Sequence, residues 1–554
     1  MKARNKTARK NSRKTSPKAN AVPTDPNPSF ENRVVSMDNI GMKADDGRKA
    51  SADAFSPKSP SSDIWHAVRF PSASNSSMIY KMFINGEWVE SSNKQTFEVR
   101  NSYDNSIVGR VQKATKEDAL RTVEAAFNAK SAMAKMDAIQ RIELLDKIKD
   151  LVSEHREELI DMLIREAGKP RVYAEGEVKA TIERLHYAAE ETKIMYGEYI
   201  PGDLISGTSQ KFALVSRKPL GVVLAICPFN YPLFISVAKI APALASGNAV
   251  VCKAASDDPI TLLMFARLAE IAGVPKGGLN VITGGGSEIG DLLATHPKID
   301  MISFTGSTSV GKHIASIAGM KQLHLELGGK SPAIVLEDAE LENTVKECAA
   351  GALKFSGQRC DALSRMLVVE SIADEFAKRV VNEVREWKVG NPKEPDTKIG
   401  PLINEAGMQK VESLVKDAVS KGAKLLMGGK RNGMFYEPTV LDHVTKDMKI
   451  AWEETFGPVV CIMRVKDIED ALRIANSSSY GLDASVFTQD LDKAIYLARN
   501  IESGSVTING SPAHGVGNFP FGGDKDSGMG REGLNYSIDE MTKLHTIVFN
   551  MKKK

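Results

Sequence analysis

Four short stretches carry residue types that can do covalent or acid–base chemistry. The first is Phe355-Ser-Gly357-Gln-Arg359-Cys360. A thiol becomes a nucleophile as its thiolate, and a neighbouring cation such as Arg359 favours that form. An isolated cysteine also reads as a small buried hydrophobe. The second is Leu325-Glu326-Leu327-Gly328-Gly329-Lys330, an acid set between leucines just before a Gly-Gly bend. Burial between leucines would lift the Glu326 pKa toward the range of a general base, whereas a surface carboxylate would stay ordinary. The third is Pro228-Phe229-Asn230-Tyr231-Pro232, after the apolar run ending at Cys227. An amide at the end of a strand can donate to a developing oxyanion, or it can satisfy a turn. The fourth is Phe304-Thr-Gly306-Ser307-Thr-Ser-Val-Gly311. Such a strand-to-helix turn can present backbone N–H groups to a phosphate, although its spacing is not the usual dinucleotide fingerprint.

These stretches need a scaffold. Continuous apolar runs at 221–227, 249–253, 279–282 and 301–304 read as buried parallel strands. Helical segments at 233–244, 260–272 and 289–295 separate them. Strands alternating with helices predict a doubly wound α/β unit. A second α/β run is expected from about 327 to 507, with strands near 333–336, 365–369 and 459–463. Upstream, Asn85-Gly86 predicts a hairpin, and periodicity predicts helices over 116–134, 139–167 and 171–195. The Arg359-Cys360 step is expected on a helical stretch.

Composition narrows the class. The chain has 554 residues, 42% hydrophobic and 26% charged, with a formal net charge of +3. These values fit a globular protein of more than one domain, with no charge excess pointing to nucleic acid. No apolar run reaches the roughly 18 residues that a membrane helix needs. The cysteines are Cys227, Cys252, Cys348, Cys360 and Cys461, with no C-x-x-C pair. Neither a metal site nor a disulfide framework is indicated, and a reducing, cytoplasmic setting fits. Residues 1–77 are rich in Lys, Arg, Ser, Asn and Pro, with no acid before Asp25. They read as a disordered basic tail, and an organelle transit peptide is the alternative.

In this order and at these separations, the four stretches resemble the aldehyde dehydrogenase superfamily from about Met78 onward. Lys239 ahead of Ile-Ala-Pro-Ala-Leu-Ala-Ser-Gly247-Asn248, Trp452-Glu-Glu454-Thr-Phe456-Gly457-Pro458 and Pro520-Phe-Gly522-Gly523 extend the likeness. The resemblance implies a Rossmann-type cofactor domain (78–195 and 219–326) and an α/β catalytic domain (327–507). It implies a protruding hairpin (196–218) that, with 508–554, makes subunit contacts in a homodimer or homotetramer. It implies Cys360 as nucleophile, Asn230 and the Cys360 N–H as oxyanion hole, Glu326 as deacylating base and Lys239 as a support near the nicotinamide ribose. Lys253, Gly306, Ser307, Gly311, Glu454 and Phe456 match cofactor-binding positions. Members that prefer NAD often carry Glu three residues after the matching Lys. Ser256 stands there, so NADP is expected, with NAD possible. Glu326 argues against members that pass the acyl group to coenzyme A, and the full catalytic set argues against a non-catalytic relative.

Gly357-Gln-Arg-Cys-Asp-Ala362 and Gly197-Glu-Tyr-Ile-Pro-Gly-Asp203 resemble the non-phosphorylating glyceraldehyde-3-phosphate dehydrogenase group. The likeness implies that Arg359 and Tyr231 hold a substrate phosphate. That group's further arginines fall here at His514 and near Ile194. His514 is the remaining candidate substrate residue. Lactaldehyde and succinic semialdehyde are alternative substrates.

Overall fold

Val222–Ile226 is buried at every position and forms the centre of an eight-stranded sheet. The computed structural model describes residues 78–513 and 518–551. The expectations for residues 1–77 and for His514 therefore lie outside the described residues. From Val222–Ile226 the chain adds Ala249–Lys253 and then Leu279–Ile282 on one side, all parallel. It crosses back to place Met301–Thr305 and then Gln322–Glu326 on the other side, again parallel. The carboxyl ends of all five strands therefore share one edge. The reversal of strand order between Val222–Ile226 and Met301–Thr305 opens a crevice there, the usual ligand position in such sheets. Antiparallel Met82–Ile84 and Glu87–Val89 extend one edge, turning at Asn85 and Gly86 with φ of 55° and 76°.

A second sheet has seven strands, with Ser331–Val335 between Leu363–Val369 and Asp483–Phe487. Its continuous apolar strands are covered on both faces, by one core cluster around Met408, Val411 and Tyr436 and another around Phe376, Val380 and Trp387. The segment beyond 508 returns to the first sheet, where Gly528–Met529 pairs with Gln322–Glu326.

One local expectation needs correction. The helix expected over 139–167 is two helices, Ala138–Glu154 and Arg156–Ala167, because His155 leaves helical geometry at φ −98°, ψ 25°. The hairpin expected over 196–218 is joined by a third strand from the C-terminal segment. Lys211–Pro219 pairs with Glu198–Pro201 on one side and with Thr542–Asn550 along its whole length on the other. This three-stranded sheet still exposes Tyr199, Ile200, Leu544, Ile547 and Val548.

Candidate active site

Cys360 does not lie on a helix. The helix Leu341–Leu353 ends, and Phe355, Ser356 and Gly357 follow with φ of 51°, 55° and 69°. Three successive left-handed residues turn the chain toward the strand Leu363–Val369. Gly357 is required there, since a Cβ would meet the Gly457 carbonyl oxygen at 2.1 Å. Side chains hold the turn in place. Ser356 Oγ donates to Gly400 O at 2.8 Å, and Gln358 Oε1 accepts from Ile403 N at 2.9 Å. Of the five cysteines, Cys360 alone is partly exposed, and the other four are buried.

Cys360 lines two cavities at once. One, of about 160 Å³, is bounded by Phe229, Asn230, Gly306, Ser307, Glu454 and Phe456. The other, of about 300 Å³, is bounded by Tyr173, Tyr231, Lys354, Arg359 and Asp361. The sequence-derived residues divide accordingly. Asn230, Gly306, Ser307, Glu454 and Phe456 meet on one side of the thiol, and Tyr231 and Arg359 on the other.

Strand ends and a buried ion pair position Asn230. Its loop follows Val222–Ile226 and precedes the helix Phe234–Ala245. Lys169 Nζ donates to the Asn230 carbonyl at 2.6 Å and pairs with the Glu177 carboxylate. Glu177 Oε1 in turn accepts from the N–H groups of Leu233 (2.9 Å) and Phe234 (3.1 Å), capping that helix. The ammonium also lies 3.9 Å from the Tyr231 ring centroid and 4.3 Å from that of Phe355. Sequence reading missed this pair, because Gly168-Lys-Pro170 reads only as a helix end.

Glu326 ends its strand, 3% exposed. Among the described residues its oxygens accept no well-directed hydrogen bond, and its nearest cation is His324 Nε2 at 3.2 Å. Burial pushes its carboxyl up to about 7, against the pull of His324. His324 Nδ1 meets Glu540 Oε2 at 2.6 Å. Burial disfavours its charge, but Glu326 and Glu540 win and raise the imidazole to about 9. Lys239 is buried and donates to Glu532 Oε1 at 3.0 Å. His324 went unnoticed in the sequence. The signal was there, since residues two apart on a strand share a face.

Arg359 corrects an expectation. Its Nε donates to Asp361 Oδ1 at 2.9 Å and its Nη2 to Pro512 O at 3.1 Å. The Cys360 thiol is pushed well up rather than down, by burial first and then by Asp361, Glu326, Asp483 and Glu454. Lys354, missed earlier, lines the same cavity without a hydrogen-bond or ion-pair partner among the described residues. Its pKa is lowered by burial and by Arg359.

The crevice fits a dinucleotide. Ser307 precedes the helix Thr308–Ile317, whose first N–H groups receive no side-chain cap. Gly311 gives the close packing this turn needs, since a Cβ would meet Leu327 at 2.2 Å. Glu454 Oε1 accepts from Gly329 N at 3.3 Å, and burial raises its carboxyl. Farther along the same edge, Ser256, Lys113 and Gly285 line a cavity of about 440 Å³. Lys253 is buried, with Nζ donating to Ala254 O at 2.9 Å.

The chain matches the model of the aldehyde dehydrogenase family over residues 88–547. It is 42% identical over 475 residues to an NADP-dependent glyceraldehyde-3-phosphate dehydrogenase of Streptococcus equinus, covering 86% of this chain and 99% of that protein. It is 39% identical to a lactaldehyde dehydrogenase of Methanococcus aeolicus, covering 85% of this chain and 100% of that one. The solved structure of an NADP-dependent glyceraldehyde-3-phosphate dehydrogenase from Bacillus halodurans, complexed with NADP, superposes with a TM-score of 0.85 at 41% identity, covering 86% of this chain and all of the other. With the crevice at the sheet reversal and a thiol between two cavities, this places the chain in the aldehyde dehydrogenase family.

Proposed function

We propose that the protein oxidises glyceraldehyde 3-phosphate to 3-phosphoglycerate with NADP and without phosphorylation. The observation that carries this reading is that Cys360 faces two cavities, one edged by Arg359 and Lys354, the other by the phosphate-binding turn at Gly306 and Ser307. The names of the relatives above support it. A bound nicotinamide dinucleotide supplies the hydride acceptor.

The chain's own residues do the rest. Cys360 releases its proton to solvent and attacks the aldehyde carbon as the thiolate, and the Asn230 amide with the Cys360 N–H stabilises the oxyanion. Oxidation leaves a thioester on Cys360. Glu326 takes a proton from the water that hydrolyses it. Gly306, Ser307, Gly311, Lys253, Ser256, Glu454 and Phe456 would hold the cofactor, with Lys239 supporting the nicotinamide end. Tyr231, Arg359 and Lys354 face the phosphate, with His514 as a further contact. Residues 78–195 and 219–326 form the cofactor-binding part, and 327–507 the catalytic part. The exposed apolar face of the three-stranded sheet supports a homodimer or homotetramer. No helix among the described residues is long and apolar enough to cross a membrane. Five free cysteines support residence in the cytoplasm.

The test is a panel of glyceraldehyde 3-phosphate, glyceraldehyde, lactaldehyde and succinic semialdehyde, each with NADP and NAD. Comparable kcat/KM for glyceraldehyde and its phosphate would overturn the phosphate reading. One observation favours lactaldehyde instead: Asp361 already neutralises Arg359.

A further inference from the structure

The buried carboxylates near Cys360 are not balanced without a further cation. Glu326 and Glu532 are each 3% exposed, and Glu540 approaches from the end of the helix Leu534–Glu540. Among the described residues Lys239 is the one lysine paired with them, and it sits on Glu532. Arg184, buried on the helix Arg171–Lys193, also feels the Glu532 charge but makes no ion pair with Glu326 among the described residues. Three carboxylates against the Lys239 ammonium and the Arg184 guanidinium leave a deficit in a medium of low dielectric, which protonates the least supported acid. That acid is Glu326, whose oxygens have no well-directed donor.

His324 fills the gap. It precedes Glu326 by two residues on the strand Gln322–Glu326, so both side chains leave the same face. Its Nε2 lies 3.2 Å from Glu326 Oε1 and 3.8 Å from Glu532 Oε1, and its Nδ1 lies 2.6 Å from Glu540 Oε2. Three carboxylates thus surround one ring. Glu540 is itself held by Arg531 N, which donates to its Oε1 at 3.0 Å. Gly530 leaves room for the contact, since a Cβ there would meet His324 Nδ1 at 2.6 Å and Glu540 Oε1 at 2.7 Å.

We propose that His324, held as an imidazolium by Glu540, is the positioning residue that keeps Glu326 ionised and available as the base at neutral pH. The proposal rests on the reading of Glu326 as the deacylating base. The lifted imidazole, near 9, agrees with a ring that stays charged through the working range. The other charged or titratable groups around the pair are Glu532, Lys239, Asp483 and the Cys360 thiol, with Arg184 reaching it through Glu532.

The test measures the pH dependence of steady-state turnover and of the pre-steady-state burst of reduced cofactor, for wild type, His324→Gln and Glu326→Gln. In His324→Gln the acid limb of turnover should move by roughly one unit or more toward alkaline pH. A burst close to one equivalent should appear at pH 7 and fade as pH rises. A merely structural role would lower the rate without moving the limb. An unmoved limb in His324→Gln, with turnover lost in Glu326→Gln, would overturn the inference about His324 alone. Turnover retained in Glu326→Gln would overturn the base assignment beneath it. Should His324→Gln fail to fold, neutron diffraction of the wild-type enzyme at pH 7.5 decides. Deuterium on both ring nitrogens supports the proposal, and deuterium on one overturns it.

Discussion

Arg359 and Asp361 flank Cys360 in sequence and bond to each other past it, Nε to Oδ1 at 2.9 Å. The pair fixes the guanidinium against the wall of the larger cavity and sets a carboxylate beside the thiol. Asp361 comes second only to burial in pushing the Cys360 thiol up. In Asp361→Asn the pH midpoint of alkylation by iodoacetamide should therefore fall. An unchanged or higher midpoint would show that Asp361 does not govern the thiol.

The same pair bears on substrate choice. Arg359→Ala removes a guanidinium from the cavity and should raise KM for glyceraldehyde 3-phosphate. A hydrogen bond to a charged group contributes about 1.5–3 kcal/mol, so the rise should be roughly 10- to 100-fold. KM for glyceraldehyde should change much less. Equal rises for both aldehydes would place Arg359 in loop support alone.

Cofactor preference can be moved from the cavity at Ser256. If the cofactor lies as proposed, a glutamate there faces the 2′-phosphate, and two such charges at close range repel by several kcal/mol. Ser256→Glu should lower the NADP-to-NAD ratio of kcat/KM on the order of 100-fold or more. A ratio unchanged within threefold would place the 2′-phosphate elsewhere.

The chain's strands were readable because burial on both faces leaves uninterrupted apolar runs, as in Val222–Ile226 and Ala249–Lys253. Asn230, Gly306 and Glu326 were readable because each lies at or just past the end of such a run. What the sequence hid depends on partners far apart along the chain. Lys169 reaches Asn230 over 61 residues, and His324 reaches Glu540 over 216. Asp361 escaped for another reason: a carboxylate beside an Arg-Cys step does not announce which of the two it faces. The left-handed run Phe355–Gly357 was hidden too, since two of its three residues are not glycine.

The Lys169–Glu177 pair is fully buried, and removing one partner of such a pair costs about 3–5 kcal/mol. Lys169→Met should lose stability on that scale in urea unfolding. Its kcat should also fall, because the Asn230 carbonyl loses its anchor. A loss below about 1 kcal/mol would mean that the loop holds itself.

His324 makes stability depend on pH. Its folded pKa of about 9 lies above the ordinary value of 6.5. The stabilisation is therefore fully present below about pH 6.5 and is lost as pH rises through about 9. His324→Gln should be destabilised most at pH 6 and approach wild type by pH 10. A difference that does not vary with pH would contradict the charged state.

The proposed reaction passes through a thioester at Cys360 that Glu326 resolves. The most direct measurement is mass spectrometry of Glu326→Gln after a single addition of glyceraldehyde 3-phosphate and NADP. The expected result is one equivalent of reduced cofactor and a 3-phosphoglyceryl adduct on the peptide containing Cys360, with none on Cys227, Cys252, Cys348 or Cys461. Multiple turnovers without an adduct, or an adduct on another cysteine, would contradict it.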